Sequence, residues 1–155
     1  MKQHTTVKML NINEVDVSDQ PVVFTCYGLG SCIGLFITDR TKGLSGGVHI
    51  PLPHLSGPSE WKDAACLIDE LLHAFQAWGS NLDTLRAKVT GGAQVYGSHS
   101  NIGAQNAEVV LKQLTDRKVY IAATDVGGTI SRTARYHSQS GELEISTSEQ
   151  TKYSI

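Results

Sequence analysis

Residues 28–52, GLGSCIGLFITDRTKGLSGGVHIPL, are the stretch from which the organisation of the chain is best inferred. The segments Cys32 to Thr38 and Leu44 to Leu52 are rich in apolar and β-branched residues and flank a short polar turn, a pattern typical of a β-hairpin. In such a hairpin Cys32 and His49 would lie near each other at the same end. The stretch therefore predicts a sheet that holds a thiol beside an imidazole.

The thiol and the imidazole together predict nucleophilic chemistry. Only a thiolate attacks carbonyl carbon well, so His49 is the candidate base for Cys32. Gly28 and Gly30 would allow a turn that exposes Cys32, with N–H groups around Ser31 aimed at a developing oxyanion. The alternative is a structural role, because free cysteines are often buried and a lone histidine is usually a packing residue. The spacing alone leaves both interpretations open.

The composition predicts an ordinary globular protein. With 155 residues, 40% hydrophobic residues and a formal net charge of −2, we expect one domain over residues 1–155, with no nucleic-acid binding and no membrane insertion. The first residues lack the apolar core of a signal peptide. Cys26, Cys32 and Cys66 include no C-x-x-C pair, which argues against a disulfide framework and a zinc site. We therefore expect a cytoplasmic protein with no metal and no cofactor.

The periodicity along the chain predicts an α/β fold, a mixed β-sheet core flanked by at least two helices. Helices are expected over Ala64 to Trp78, with Ser59 as a candidate cap and Gly79 at the end, and over Ile102 to Leu114. The inward residues of the second helix are expected to be Ala104, Ala107, Val110, Leu111 and Leu114. The remaining predicted strands are 7–12, 21–27, 85–90, 118–123, 133–136 and 142–146. Residues 148–155 are expected to be a loosely held end.

Five motifs, taken in order, resemble the chemoreceptor glutamine deamidase family, CheD. They span about residues 28–132, and they include the interval of seventeen residues between the cysteine and the histidine. The motifs are Leu29-Gly30-Ser31-Cys32, Gly46-Gly47-Val48-His49-Ile50-Pro51-Leu52-Pro53, Ala87-Lys88-Val89-Thr90-Gly91-Gly92-Ala93, Ile102-Gly103-Ala104-Gln105-Asn106 and Asp125-Val126-Gly127-Gly128.

The resemblance implies a reaction, a fold and partners. The reaction is hydrolysis of glutamine side-chain amides to glutamate on the cytoplasmic domains of methyl-accepting chemotaxis receptors, with Cys32 as nucleophile and His49 as proton carrier. The implied fold is a layered α/β sandwich similar to cysteine-dependent deamidating toxins. The resemblance also implies binding to a CheC-like chemotaxis phosphatase.

The sequence departs from the family at one position near the nucleophile. The family usually has threonine six residues before the cysteine, where it is thought to orient the histidine, but this chain has Cys26 there and Thr25 beside it. Neighbouring residues of a strand point to opposite faces, and a thiol is a poor acceptor. Either another group orients His49 or activity is reduced. A receptor- or phosphatase-binding adaptor with weak or no catalysis is therefore the alternative function, and a thiol esterase or peptidase is a third.

The motifs contain other residues that are expected to support the site or the fold and not to react themselves. The resemblance places Gly91, Gly92 and Asp125 near the active-site face, although the two glycines also suit turns that let strands approach closely. Arg132 falls where the family often has arginine. Asn106 is expected to be a helix cap or a tie between loops. The remaining histidines are expected to be structural or surface residues: His4, His54, His73, His99 and His137.

Overall fold

Ten strands and two helices make up the part of the chain that the computed structural model describes, namely residues 5–55, 59–95 and 101–155. The interpretations of His4 and His99 fall outside these ranges. The helices are α1 (Ala64–Ala77) and α2 (Ile102–Asp116), and a single 3-10 turn covers Leu82–Thr84. The strands are β1 (Thr6–Met9), β2 (Val15–Ser18), β3 (Val22–Leu29), β4 (Ile33–Asp39), β5 (Leu44–Ile50), β6 (Leu85–Gly91), β7 (Tyr120–Val126), β8 (Arg132–His137), β9 (Glu142–Thr147) and β10 (Lys152–Ser154).

The strands divide between two five-stranded sheets. Sheet I has the order β1-β3-β8-β9-β10 and sheet II the order β2-β5-β4-β6-β7. Each sheet is mixed, because β1 pairs with β3 and β6 pairs with β7 in parallel while the other pairs are antiparallel. The predicted mixed α/β class with two helices is confirmed. The single sheet that we expected is in fact two, and β2 was not predicted at all.

The sheets and helices stack as three layers. Both helices pack on one face of sheet II, where Ile33, Leu35 and Ile37 of β4 join the larger apolar core. The other face of sheet II packs against sheet I around a second core that includes Phe36, Phe24 and Tyr136. Because both faces of β4 are covered, its seven residues are all buried. The hairpin β4–β5 therefore lies in the middle layer of the protein.

The helix boundaries are close to those predicted, with two corrections. Asp63, not Ser59, caps α1, because its side chain accepts a hydrogen bond from the Cys66 N–H. Gly79 follows the helix with a φ of +98°, as its position predicts. In α2, Leu111 is half-buried and packs against the core as predicted, but Ala104 is exposed, so its prediction as an inward residue was wrong. Its buried residues are Gly103, Asn106, Ala107, Val110 and Leu114.

The prediction of a loosely held end over residues 148–155 was wrong. Lys152–Ser154 forms β10, which pairs antiparallel with β9. The main-chain groups of Ile155 and Leu143 also exchange two hydrogen bonds, of 2.9 and 3.1 Å. A strand of three residues is too short to show an alternating pattern, which is why the sequence does not reveal it.

Candidate active site

The register of the central hairpin places the thiol and the imidazole on the same face of sheet II. His49 of β5 lies directly opposite Gly34 of β4, and Cys32 precedes Gly34 by two residues. Side chains two apart along an extended segment share a face, so Cys32 is the diagonal neighbour of His49. Gly34 has no side chain between them. Both groups face sheet I, and Cys32 packs against the core between the sheets.

A main-chain carbonyl orients the imidazole. His49 is 6% exposed, and its Nδ1 lies 3.0 Å from the carbonyl oxygen of Leu10. A carbonyl oxygen only accepts hydrogen bonds, so Nδ1 carries the proton and Nε2 keeps its lone pair. The Leu10 N–H in turn donates to the Thr25 carbonyl at 2.8 Å. The segment after β1 thus holds the ring in the tautomer that a base requires.

Burial keeps both groups neutral. Burial lowers the pKa of His49 below its ordinary value, and this effect exceeds the opposing one of the Leu10 hydrogen bond. Burial also raises the pKa of the half-buried Cys32 thiol. The resting site therefore holds a thiol and a neutral imidazole.

Cys26 and Thr25 lie on opposite faces of β3. Cys26 is fully buried in the core between the sheets, on the side of Cys32, and burial raises the pKa of its thiol with a smaller contribution from Cys32. Thr25 is buried between Met9 and Arg135 of the adjacent strands and belongs to the outer face of sheet I. The register shift in β3 begins after Cys26, so it does not turn Thr25 inward. The geometry thus favours Cys26, not Thr25, as a neighbour of the site.

We expect Cys26→Thr to leave catalytic turnover within about threefold, because the Leu10 carbonyl already accepts the Nδ1 proton that a threonine hydroxyl would bind. The added hydroxyl should instead lower the free energy of unfolding by about 1 to 3 kcal/mol if it finds no partner in this apolar core. Turnover and chemical denaturation would be measured on the same preparation. Thr25→Ala, on the outer face, is the control and should leave turnover unchanged. A tenfold gain from Cys26→Thr would show that Leu10 does not suffice to orient the ring.

Main-chain hydrogen bonds support the loop before Cys32. Gly28 has a φ of +60°, as the predicted turn requires, whereas Gly30 has no such conformation. The Gly30 carbonyl accepts from the Ala93 N–H at 2.8 Å, and the Cys32 carbonyl accepts from the Gly92 N–H at 2.9 Å. A Cβ atom on Gly91 would lie 2.2 Å from the Cys32 carbonyl oxygen. The turn at Gly91 and Gly92, called the glycine turn below, therefore packs directly against the main chain of Cys32.

Asp125 lies at the centre of a polar cluster beside this turn. Its Oδ2 accepts hydrogen bonds from Arg132 Nε at 3.0 Å and from the Tyr153 hydroxyl at 2.5 Å. The guanidinium of Arg132 is 9% exposed and also donates to the Gly91 carbonyl at 3.3 Å. Asp125 thus supports the glycine turn beside Cys32, and Tyr153 is a member of this cluster that no sequence motif indicates.

Three further findings complete the site. Asn106, expected to be a cap or a tie between loops, is a tie: its amide donates to the carbonyls of Ser31 and Pro51. All three cysteines are free thiols. Within residues 5–55, 59–95 and 101–155, no cluster of three or more His, Cys, Asp or Glu side chains could hold a metal ion, and no helix is long and apolar enough to cross a membrane.

The fold and the site define an α/β protein that carries a thiol and an imidazole on one face of a sheet. The chain belongs to the CheD family, since the model of that family, described as CheD chemotactic sensory transduction, matches residues 54–147. It is 36% identical to the probable chemoreceptor glutamine deamidase CheD of Geobacillus kaustophilus over 91% of this chain and 92% of the relative. It is 33% identical to the chemoreceptor glutamine deamidase CheD of Thermotoga maritima, over 89% and 90% of the two chains. Among solved structures, a Neisseria meningitidis protein of the DUF152 family aligns with a TM-score of 0.47 and 9% identity over 80% of this chain and 63% of that chain.

Proposed function

We propose that this protein hydrolyses glutamine side-chain amides to glutamate on the cytoplasmic domains of chemoreceptors, with Cys32 as nucleophile and His49 as base and acid. The names of the relatives support the substrate and the reaction. The placement of His49 is the observation that supports this chemistry. Its Nδ1 is hydrogen-bonded to the Leu10 carbonyl, and its side chain lies on the same face of sheet II as Cys32. A half-buried thiol on the same sheet face as an oriented neutral imidazole suits attack on an amide carbon.

The first half of the reaction forms a thioester. The Cys32 sulfur attacks the amide carbon of the glutamine, and the thiol proton passes to Nε2 of His49. The resulting imidazolium protonates the amide nitrogen, the carbon–nitrogen bond breaks, and ammonia leaves. Turn N–H groups near Ser31 would stabilise the oxyanion of the tetrahedral intermediate.

The second half consumes one water molecule. His49, again neutral, takes a proton from water as the water oxygen attacks the thioester carbon. The carbon–sulfur bond breaks, the thiolate of Cys32 takes the proton back from His49, and the side chain leaves as glutamate. The carboxylic acid passes its proton to ammonia in solution, so the sum is glutamine plus water to glutamate plus ammonium, with the enzyme unchanged.

Mass spectrometry of a receptor cytoplasmic fragment incubated with the protein tests this function. Deamidation replaces NH₂ by OH and converts specific glutamine residues to glutamate, which peptide mapping locates. A methyl-esterified fragment should keep its esters, since their loss with intact amides would indicate an esterase. A fragment that binds but keeps its amides would instead support a receptor-binding adaptor.

The partner and the compartment follow from the same proposal. A CheC-like phosphatase is proposed as a partner that competes with the receptor for the face around Cys32 and His49. We place the protein in the cytoplasm, where receptor signalling domains lie and where a thiol stays reduced. Simultaneous saturable binding of receptor fragment and phosphatase would contradict a shared face.

The pH dependence of deamidation should reflect neutral His49. Because the pKa of His49 is lowered by burial, the base form persists as the pH falls below the ordinary histidine value of about 6.5. The acid limb of kcat/KM should therefore lie below that value, and activity should stay level up to alkaline pH because the pKa of Cys32 is raised. An acid limb above pH ~7 would mean that His49 does not titrate as its burial requires.

A further inference from the structure

We infer that Asn106 is a positioning residue that sets the separation of the thiol and the imidazole by binding the two chain segments that carry them. This inference rests on the proposed function. Asn106 lies in α2, on the other side of sheet II from the reactive groups, and is fully buried. It does not belong to the hairpin that presents Cys32 and His49.

The amide of Asn106 reaches both segments with one nitrogen. Nδ2 lies 2.8 Å from the carbonyl oxygen of Ser31, which precedes Cys32. The same nitrogen lies 3.2 Å from the carbonyl oxygen of Pro51, which follows the strand of His49. Carbonyl oxygens only accept, so the chemistry of the partners assigns the NH₂ group to this side, and each of its two protons has one acceptor.

The oxygen of the Asn106 amide supports this positioning role. Oδ1 of Asn106 is buried and has no hydrogen-bond partner among the residues that the structure describes. A buried acceptor without a partner lowers the free energy of unfolding. An apolar side chain at this helix position would avoid that loss. The two donated hydrogen bonds must offset that cost, and they are made only to the segments of the reactive pair.

The packing of α2 brings the amide within reach. A Cβ atom on Gly103, one turn before Asn106, would lie 2.4 Å from the Ala93 carbonyl oxygen and 2.8 Å from the Gly92 carbonyl oxygen. Only glycine permits this close approach of the helix to the glycine turn. Gly103 and Asn106 are three apart and share a helix face, which gives the motif Ile102-Gly103-Ala104-Gln105-Asn106 a physical explanation.

The test measures how far His49 assists alkylation of Cys32 by chloroacetamide, a small electrophile that needs no receptor. Peptide mapping separates Cys32 from Cys66 and Cys26. In the wild-type protein, alkylation of Cys32 should be at least about tenfold faster than in His49→Ala, as expected for base assistance. Asn106→Ala should lose most of this advantage and react within about twofold of His49→Ala. On a receptor fragment it should lower kcat and leave KM unchanged.

Val110→Ala is the matched control, because Val110 is also fully buried in α2 but contacts the apolar core on the helix side of sheet II. It should lower the melting temperature and keep the wild-type alkylation rate. If Asn106→Ala lowers the melting temperature but alkylates like the wild type, Asn106 is a packing residue and the inference is wrong. Equal rates in the wild type and His49→Ala would overturn the thiol–imidazole pair itself, and the proposed function with it. If Asn106→Ala does not fold, Asn106→Asp and Asn106→Ser, which keep a small polar group, replace it in the same alkylation measurement.

Discussion

Cys32→Ala should abolish receptor deamidation, with a loss of at least about a thousandfold in kcat, because no other group can form the thioester. The fold should persist. Cys32 is only half-buried, and removal of one sulfur atom from the margin of a core should lower the free energy of unfolding by about 1 kcal/mol. Intact-mass spectrometry of the receptor fragment and thermal unfolding of the variant measure the two effects.

Cys66→Ala is the control for Cys32→Ala. Cys66 is exposed on α1, and its side chain belongs to neither apolar core. Its replacement should leave both turnover and melting temperature near the wild-type values. Residual deamidation by Cys32→Ala at more than about one-tenth of the wild-type rate would exclude Cys32 as the nucleophile.

His49→Asn should lower deamidation nearly as much as Cys32→Ala does, although asparagine can still donate a hydrogen bond to the Leu10 carbonyl. The asparagine amide nitrogen can occupy the position of Nδ1 and donate to the Leu10 carbonyl, but no atom then replaces Nε2 as a base. We expect a loss of roughly 10² to 10⁴ in kcat. The variant should fold, because the hydrogen bond between position 49 and the Leu10 carbonyl is kept.

The double variant Cys32→Ala/His49→Asn tests whether the two residues act as one unit. Groups that act together show losses that do not add, so the double variant should be about as inactive as Cys32→Ala alone. Circular dichroism and thermal unfolding of all three variants serve as controls for folding. A His49→Asn variant that keeps wild-type turnover would contradict the assignment of His49 as base.

The local parts of the fold could be predicted from the sequence because their signals are local. Hydrophobic patterns within short windows of sequence predict the hairpin over Cys32 to Leu52 and the helices beginning at Ala64 and Ile102. The partition of the strands into two sheets could not be predicted, since the pairing of β3 with β8 joins residues far apart in sequence. Strands as short as β2 and β10 carry too few residues for a periodic signal.

The candidate site shows the same limit. Cys32 and His49 could be singled out because their side chains have characteristic chemistry, whereas the sequence left Asn106 as either a helix cap or a tie between loops. The group that orients His49 could not, because it is the main-chain carbonyl of Leu10, and every residue has one. Tyr153 was missed because its hydroxyl meets Asp125 only after β10 pairs with β9.

The order of strands in sheet I has a consequence for how the protein is made. Its strands come from both ends of the chain, β1 and β3 from the first thirty residues and β8 to β10 from the last twenty-four. The β4–β5 hairpin needs only nearby residues and can form while the ribosome is still translating. Sheet I cannot be completed until β8 to β10 have been made, and the distant pairing of β3 with β8 then also costs loop entropy. The thiol and the imidazole are thus brought together early on a growing chain, but sheet I covers them only after residues 132–154 have been made.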